Sequence, residues 1–267
     1  MEDNLIDKTN FNYYKINYTA HDGTLSFEVR KNSSIVLQLL REYNIFTRGK
    51  KILDFGFGTG NVLALFHRLG SICYGVDILP EAVSRLAEHK EYELRLITEN
   101  RLPFKDNMFD IVVASESIEH VPNESLILTE IVRVLKPNGF FIMGVPADWH
   151  SYNPLHFREY TKHDINRLKL ILGAYCLGYR AYGGRLFFKI YGYLNKIASN
   201  SMGIRAKETL EYRIKRIKKE LPLILNIARY IYHKVFVKLL IIFYLIDGKF
   251  HKDKNKEIWF VFKLSSF

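Results

Sequence analysis

Two rhythms of apolar residues alternate along this chain. Between Ser33 and Tyr43, Ile35, Val36, Leu39 and Leu40 fall three and four positions apart, the spacing of one helix face. From Lys51 onward, short apolar runs alternate with helical patterns. Lys51 to Phe55 reads as a strand and Asn61 to Leu69 as a helix ended by Gly70. Ile72 to Asp77 is a second strand followed by a helix from Pro80 to Lys90, and Glu93 to Thr98 is a third strand. Phe109 to Ala114 is a fourth, followed by a helix from Asn123 to Leu135; the turn Pro137-Asn138-Gly139 leads into a fifth, Phe140 to Val145. Such alternation predicts a doubly wound, mostly parallel α/β sheet with helices on both faces. Beyond Val145 the rhythm loosens. Thr161 to Gly173 predicts a helix with Thr161 as its N-cap, Ala174 to Tyr182 a sixth strand, and Ile258 to Phe262 a seventh.

These elements divide the chain into a helical N-terminal cap over 1–50, a sheet domain over 51–182 completed by 257–267, and a helical insertion over 183–256. Its 267 residues, 48% hydrophobic, suffice for one large domain with an appendage or two small ones. The two cysteines, Cys73 and Cys176, sit in apolar runs and read as buried, reduced thiols. The acidic start Met1-Glu2-Asp3-Asn4 has no apolar run behind it, so no signal peptide is expected, and the expected location is cytoplasmic.

Charge changes this picture in one place. The net +11 is unevenly placed: from Arg180 to Phe267 there are 19 Lys and Arg against 6 Asp and Glu, whereas residues 1–179 are net −2. The C-terminal third therefore calls for an anionic partner. Its basic run Arg213 to Lys219 neighbours apolar runs at Leu221 to Ile227 and Val235 to Ile246. The second is interrupted by Lys238, and a spanning helix needs about 20 apolar residues. Two readings stay open: an interfacial helix on an anionic membrane surface, at the inner face of the membrane, or a lid or dimer face with surface lysines. Nucleic acid is the weaker partner, because the basic residues are interleaved with aliphatics rather than stacking aromatics.

The chemistry begins at Gly56-Phe57-Gly58-Thr59-Gly60, between a strand and a helix. Glycines let a ligand approach the backbone closely, and a helix start offers free N–H groups. Asp77 ends the next strand, where an acid commonly binds both ribose hydroxyls of an adenosine ligand. Asp54 stands just before the first glycine. Its carboxylate would repel a pyrophosphate but suits an ammonium and a sulfonium, which favours S-adenosylmethionine over NAD. An NAD-dependent oxidoreductase and a non-catalytic membrane-associated module with the same fold are the alternatives.

Four ordered segments make the resemblance specific. Ile52 to Gly60 resembles the first motif of class I S-adenosylmethionine-dependent methyltransferases, and Gly75-Val76-Asp77-Ile78 their second. Leu102 to Asp110 is similar to their "LPF–D–FD" segment, and Leu135-Lys136-Pro137-Asn138-Gly139-Phe140 to their "LKPGG" turn. The resemblance covers about residues 50–146 and is nearest the ubiquinone/menaquinone-biosynthesis type. It implies a Rossmann-like seven-stranded sheet whose last strand is antiparallel. It also implies that Asp54, Gly56, Gly58, Thr59 and Gly60 hold the methionine end of S-adenosylmethionine, that Asp77 holds the ribose, and that Ile78 packs on the adenine. Ser115 lies where the family lines the methionine moiety. Many relatives carry an Asp near position 98; this chain has Thr98-Glu99-Asn100, which leaves Glu99 or Asn100 to contact the adenine.

Methyl transfer from a sulfonium is an in-line displacement, so the enzyme mainly aligns nucleophile and methyl group, and a hydroxyl acceptor gains from a base or a metal. The E-x-x-E-H pattern of Glu116, Glu119 and His120 follows the fourth strand. It is similar to the metal-binding segment of ubiquinone-biosynthesis O-methyltransferases, and two carboxylates and an imidazole could hold a divalent cation. Metal-free relatives also carry "EHV" here, so no resident metal is the expectation. His120 as a base or acceptor contact is the alternative to a loop cap. A second dense segment, Trp149 to Thr161, follows the fifth strand and resembles a recurrent segment of bacterial methyltransferases near glycan genes. There His156 and Tyr160 could contact acceptor, and Arg158 could pair with Glu159 or an anionic substrate. The acceptor so implied is small or lipid-linked, a quinone precursor or surface-glycan intermediate methylated at oxygen.

Overall fold

The computed structural model describes residues 27–99, 101–147, 156–183, 237–250 and 257–265. A helix, α1 (Phe27–Glu42), precedes β1 (Lys51–Phe55), α2 (Asn61–Arg68), β2 (Ile72–Asp77), α3 (Pro80–Arg85) and β3 (Tyr92–Leu96). Then come β4 (Phe109–Ser115), a 3-10 turn (Ile118–His120), α4 (Glu124–Val134) and β5 (Leu135–Pro146). A second 3-10 turn (Lys162–Asp164), α5 (Ile165–Leu172), β6 (Ala174–Tyr182), α6 (Val237–Phe250) and β7 (Glu257–Leu264) complete the described chain.

The seven strands lie in the order β3-β2-β1-β4-β5-β7-β6. β1 to β5 pair in parallel. β7 enters antiparallel between β5 and β6. This is the mostly parallel sheet with an antiparallel last strand that the sequence implies. Residues alternate between two cores because successive strand side chains point to opposite faces. Leu53, Val112, Phe141 and Phe260 pack with Ile127, Leu128 and Ile131 of α4. Ile52, Ile111, Ile142 and Trp259 pack on the other face with α1, α2 and α6, through Ile35, Leu39, Phe66, Leu240 and Tyr244.

Several boundaries move for local reasons. α4 starts where Asn123 caps it, its side chain accepting from Leu126 N–H at 3.0 Å. The helix expected to begin at Thr161 does so through a capping box with Asp164, but its first turn is 3-10. The predicted turn at 137–139 is an excursion within β5: Leu135 pairs with Phe109, and pairing resumes only at Phe140 with Ile111. Of the predicted insertion, 184–236 and 251–256 lie outside the described residues, as do 1–26 of the cap; α6 is the part of the insertion described.

Candidate cofactor and acceptor site

Sequence order in the sheet reverses between β1 and β4, because β2 and β3 lie on one side and β5 on the other. The carboxyl ends of strands at such a switch point bound a crevice where ligands bind. The loops after β1 and β4 meet there. Ser117 Oγ donates to the Phe55 carbonyl at 3.0 Å. Gly56, at φ 71°, passes so close that a Cβ on it would lie 2.7 Å from Ser117 Cβ. Gly58, at φ 47°, has open space where its Cβ would be. The first glycine thus allows two loops to touch, and the second keeps the crevice clear.

Asp54, near the end of β1 just before this loop, is 1% exposed, and its Oδ2 has no hydrogen-bond partner. Burial and the nearby Asp77 carboxylate push its acid up to about 8, partly opposed by the Leu63 N–H. Asp77 is also buried, which raises its pKa, while backbone N–H groups pull it back. Its Oδ2 accepts from Gly58 N–H at 2.9 Å and its Oδ1 from Leu79 N–H at 3.0 Å. A carboxylate has about four lone-pair sites, so Asp77 keeps capacity for a further donor. Ser115 ends β4 with its buried Oγ unpartnered. Thr59 accepts from the Asn61 side chain, Gly60 adopts φ 77° at the head of α2, and Ile78 is half-buried against both cores. Glu99 is exposed, and Asn100 lies outside the described residues.

These placements form a donor set for a cation-bearing adenosine ligand. A buried carboxylate oxygen with no partner is costly, and an ammonium beside Asp54 would satisfy it. The fit of S-adenosylmethionine rests on that atom and on the open approach at Gly58.

The residues expected to border the acceptor lie just beyond. Glu116 follows β4 in the left-handed region, φ 52°, a conformation unusual for a non-glycine and frequent at functional sites. Its Oε1 accepts from Lys31 Nζ at 3.1 Å and its Oε2 from Asn32 Nδ2 at 3.4 Å. Lys31, from α1 and 1% exposed, also pairs with Glu257, which is fully buried at the start of β7. Glu119 is 1% exposed, and neither carboxylate oxygen has a hydrogen bond. Burial first, and the Glu116 charge second, hold its pKa well above the ordinary carboxylate range. The His120 and His156 rings meet edge to face, centroids 4.8 Å apart. Burial pulls the His156 pKa down, opposed by Glu116.

Two expectations change here. Tyr160 is fully buried, and its hydroxyl donates to Glu124 Oε1 at 2.7 Å; burial and that carboxylate raise its pKa. It is a core residue at the foot of α4 rather than an acceptor contact. Arg158 is engaged by backbone carbonyls rather than by Glu159. Its guanidinium donates to the carbonyls of Val121 and Pro122, both at 2.6 Å, and of Ile118 at 3.3 Å. The segments that follow β4 and β5 are thereby clamped together, which sets His156 beside His120. Residues 148–155 of the second segment, His150 among them, lie outside the described residues. Lys31 and Glu257 escaped sequence reasoning. Lys31 was detectable in principle, because it stands in phase with Ile35 and Leu39 on the apolar face of α1.

Comparison with known proteins places this geometry. Residues 53–143 match the family profile described as "Methyltransferase domain". A demethylmenaquinone methyltransferase of Tropheryma whipplei is 29% identical over 132 residues, covering 48% of this chain and 55% of that protein. A mitochondrial ubiquinone biosynthesis O-methyltransferase of Rattus norvegicus is 35% identical over 114 residues, 39% of this chain and 33% of that protein. The chain thus spans between a third and about half the length of these relatives. Among solved structures, a Haemonchus contortus phosphoethanolamine N-methyltransferase 2, in complex with phosphomonomethylethanolamine and S-adenosylhomocysteine, shares the fold with a TM-score of 0.55. It is 15% identical, and the match covers 86% of this chain and 52% of that one.

Proposed function

We propose that this chain, whose residues 53–143 match the methyltransferase-domain profile, is a class I S-adenosylmethionine-dependent methyltransferase that directs the methyl group to an oxygen of a small or lipid-linked acceptor, of quinone-precursor or surface-glycan type. The observation that carries this reading is the unpartnered, buried Oδ2 of Asp54 beside the Gly56–Gly60 loop at the β1/β4 switch point. The cofactor supplies an electrophilic methyl on a sulfonium. Asp54 faces its ammonium, Gly58 admits it to the backbone, Ser115 lines the methionine end, and Asp77 offers its spare lone pairs to the ribose. Ile78 and Glu99 lie on the adenine side. His120 and His156 border the acceptor. Burial lowers the pKa of His156, which favours the neutral imidazole that can contact an acceptor hydroxyl. The similarity to a ubiquinone biosynthesis O-methyltransferase favours oxygen and a quinone-type acceptor.

Calorimetry is expected to show binding of S-adenosylmethionine and none of NAD, and Asp77→Ala is expected to weaken the former at least tenfold. A turnover screen would offer hydroxylated aromatics and lipid-linked sugars. His120→Ala is expected to keep cofactor affinity and lose about 10²–10⁴-fold in rate; full turnover would remove His120 from the acceptor site.

One further observation supports a lipid-linked acceptor at the cytoplasmic membrane face. On α6, Leu240, Ile241 and Tyr244 are buried while Leu239, Ile242 and Ile246 form an exposed stripe. Among the described residues no helix is long and apolar enough to cross a membrane. An apolar stripe within the net +13 C-terminal third suits interfacial contact with anionic lipid. Flotation with anionic vesicles at low salt tests this, and absence of binding ends it.

A further inference from the structure

We propose that Glu119, His120 and His156 form a binding site for one divalent transition-metal ion of the zinc or manganese type, on the acceptor side of the crevice. The set differs from the E-x-x-E-H pattern of the sequence. Glu116 is drawn away to Lys31 and Asn32, and His156, from the far side of β5, takes its place. One donor atom from each of Glu119, His120 and His156 lies within 4.8 Å of the others. Donors sharing a zinc ion at about 2.0–2.1 Å lie roughly 3.3 Å apart, so small side-chain rotations close the set.

Three features argue for a cation rather than a chance meeting of side chains. First, Glu119 is 1% exposed with neither carboxylate oxygen hydrogen-bonded. A buried carboxyl left so is costly, and the nearest cationic-capable group among the described residues, His120 Nε2, stands 3.8 Å away. Second, the placement of His156 is built. The Phe157 N–H donates to the Glu119 carbonyl at 2.9 Å, and Arg158 grips the carbonyls of Ile118, Val121 and Pro122. Both residues after His156 thus fasten it to the turn that carries Glu119 and His120. Third, His120 keeps 21% of its side chain exposed, so the set is open on one side, as a metal site that receives an acceptor oxygen must be.

The donor chemistry selects the ion. Two imidazoles and one carboxylate suit zinc, manganese, iron or cobalt, whereas magnesium prefers oxygen donors and retains its waters. The site stands whether or not methyl transfer is the reaction; its role in orienting an acceptor oxygen rests on that reading.

The test uses the full chain, stripped with chelator and titrated with Co²⁺, Zn²⁺ and Mg²⁺. One equivalent of Co²⁺ is expected, with visible d–d bands displaced by Zn²⁺, and Mg²⁺ binding at least 100-fold weaker. His156→Ala and Glu119→Gln are each expected to weaken Co²⁺ at least tenfold. His89→Ala, which removes a histidine paired with Glu91, is expected to change nothing. S-adenosylmethionine affinity, measured in parallel, reports on folding and separates the two proposals: retained cofactor binding without stoichiometric Co²⁺ overturns only the metal site. Loss in Glu116→Gln with His156→Ala unaffected would overturn it too, in favour of the sequence pattern, as would equal affinity for Mg²⁺.

Discussion

Asp54, the proposed partner of the cofactor's ammonium, carries a cost in the ligand-free chain. Unfolded, its carboxyl ionises near 4; folded, burial and Asp77 raise it to about 8. Between those values the folded chain holds a proton that the unfolded chain has lost. Stability from this residue is therefore full below pH 4 and falls as pH rises toward 8. The ligand-free melting temperature is expected to fall across that window, and less so in Asp54→Asn. Binding of an ammonium-bearing cofactor needs the ionised carboxylate, so the melting-temperature gain from S-adenosylmethionine is expected to grow with pH up to about 8 in the native chain and to stay flat in Asp54→Asn. Parallel pH profiles for the two proteins would remove Asp54 from the cofactor site. Tyr160 makes the opposite point. Its sequence context is that of a site, yet its hydroxyl serves Glu124 in the core.

At the scale of elements, start and stop signals mattered more than periodicity. α4 begins after Asn123 because that side chain satisfies the Leu126 N–H. Asn123→Ala is expected to cost about 1 kcal/mol, read as a lower denaturation midpoint at unchanged slope. α3 ends at Arg85, short of the predicted Lys90, because the chain must turn back into parallel β3. The N–H of His89 bonds to the Leu86 carbonyl and that of Tyr92 to the His89 carbonyl, and His89 stacks on Tyr92 with ring centroids 5.5 Å apart. These backbone bonds and the ring stacking, invisible to hydrophobic spacing, replace the last helical turn. The β5 excursion at 136–139 likewise keeps the Pro137-Asn138-Gly139 turn chemistry, with Asn138 at φ 63°, inside the span of one strand.

At the scale of the molecule, Lys31 joins three distant parts of the chain. It runs from α1 to Glu116 after β4 and to Glu257 at the head of β7, beneath the Tyr244 ring of α6 at 5.7 Å. Removing one partner of a buried ion pair leaves the other uncompensated, at about 3–5 kcal/mol. Lys31→Met is expected to lower stability by that order. Lys31→Met/Glu257→Gln is expected to recover part of it, because the orphaned charge is gone. If the double variant is no more stable than the single one, the network is not what holds α1 to the sheet.

The sequence by itself determined the sheet, its parallel body and the glycine-rich loop after β1. Strand periodicity, glycine placement and Asp54 are local facts, read within a few residues of one another. The reversed last strand followed from resemblance rather than spacing. What only the tertiary structure decided is the acceptor side. Which of Glu116 and Glu119 stays unpartnered depends on Lys31, 85 residues before Glu116. His156 stands against His120 because Arg158 clamps two segments together. A buried charge is settled by whatever side chain reaches it in space, and no pattern along the chain specifies that partner.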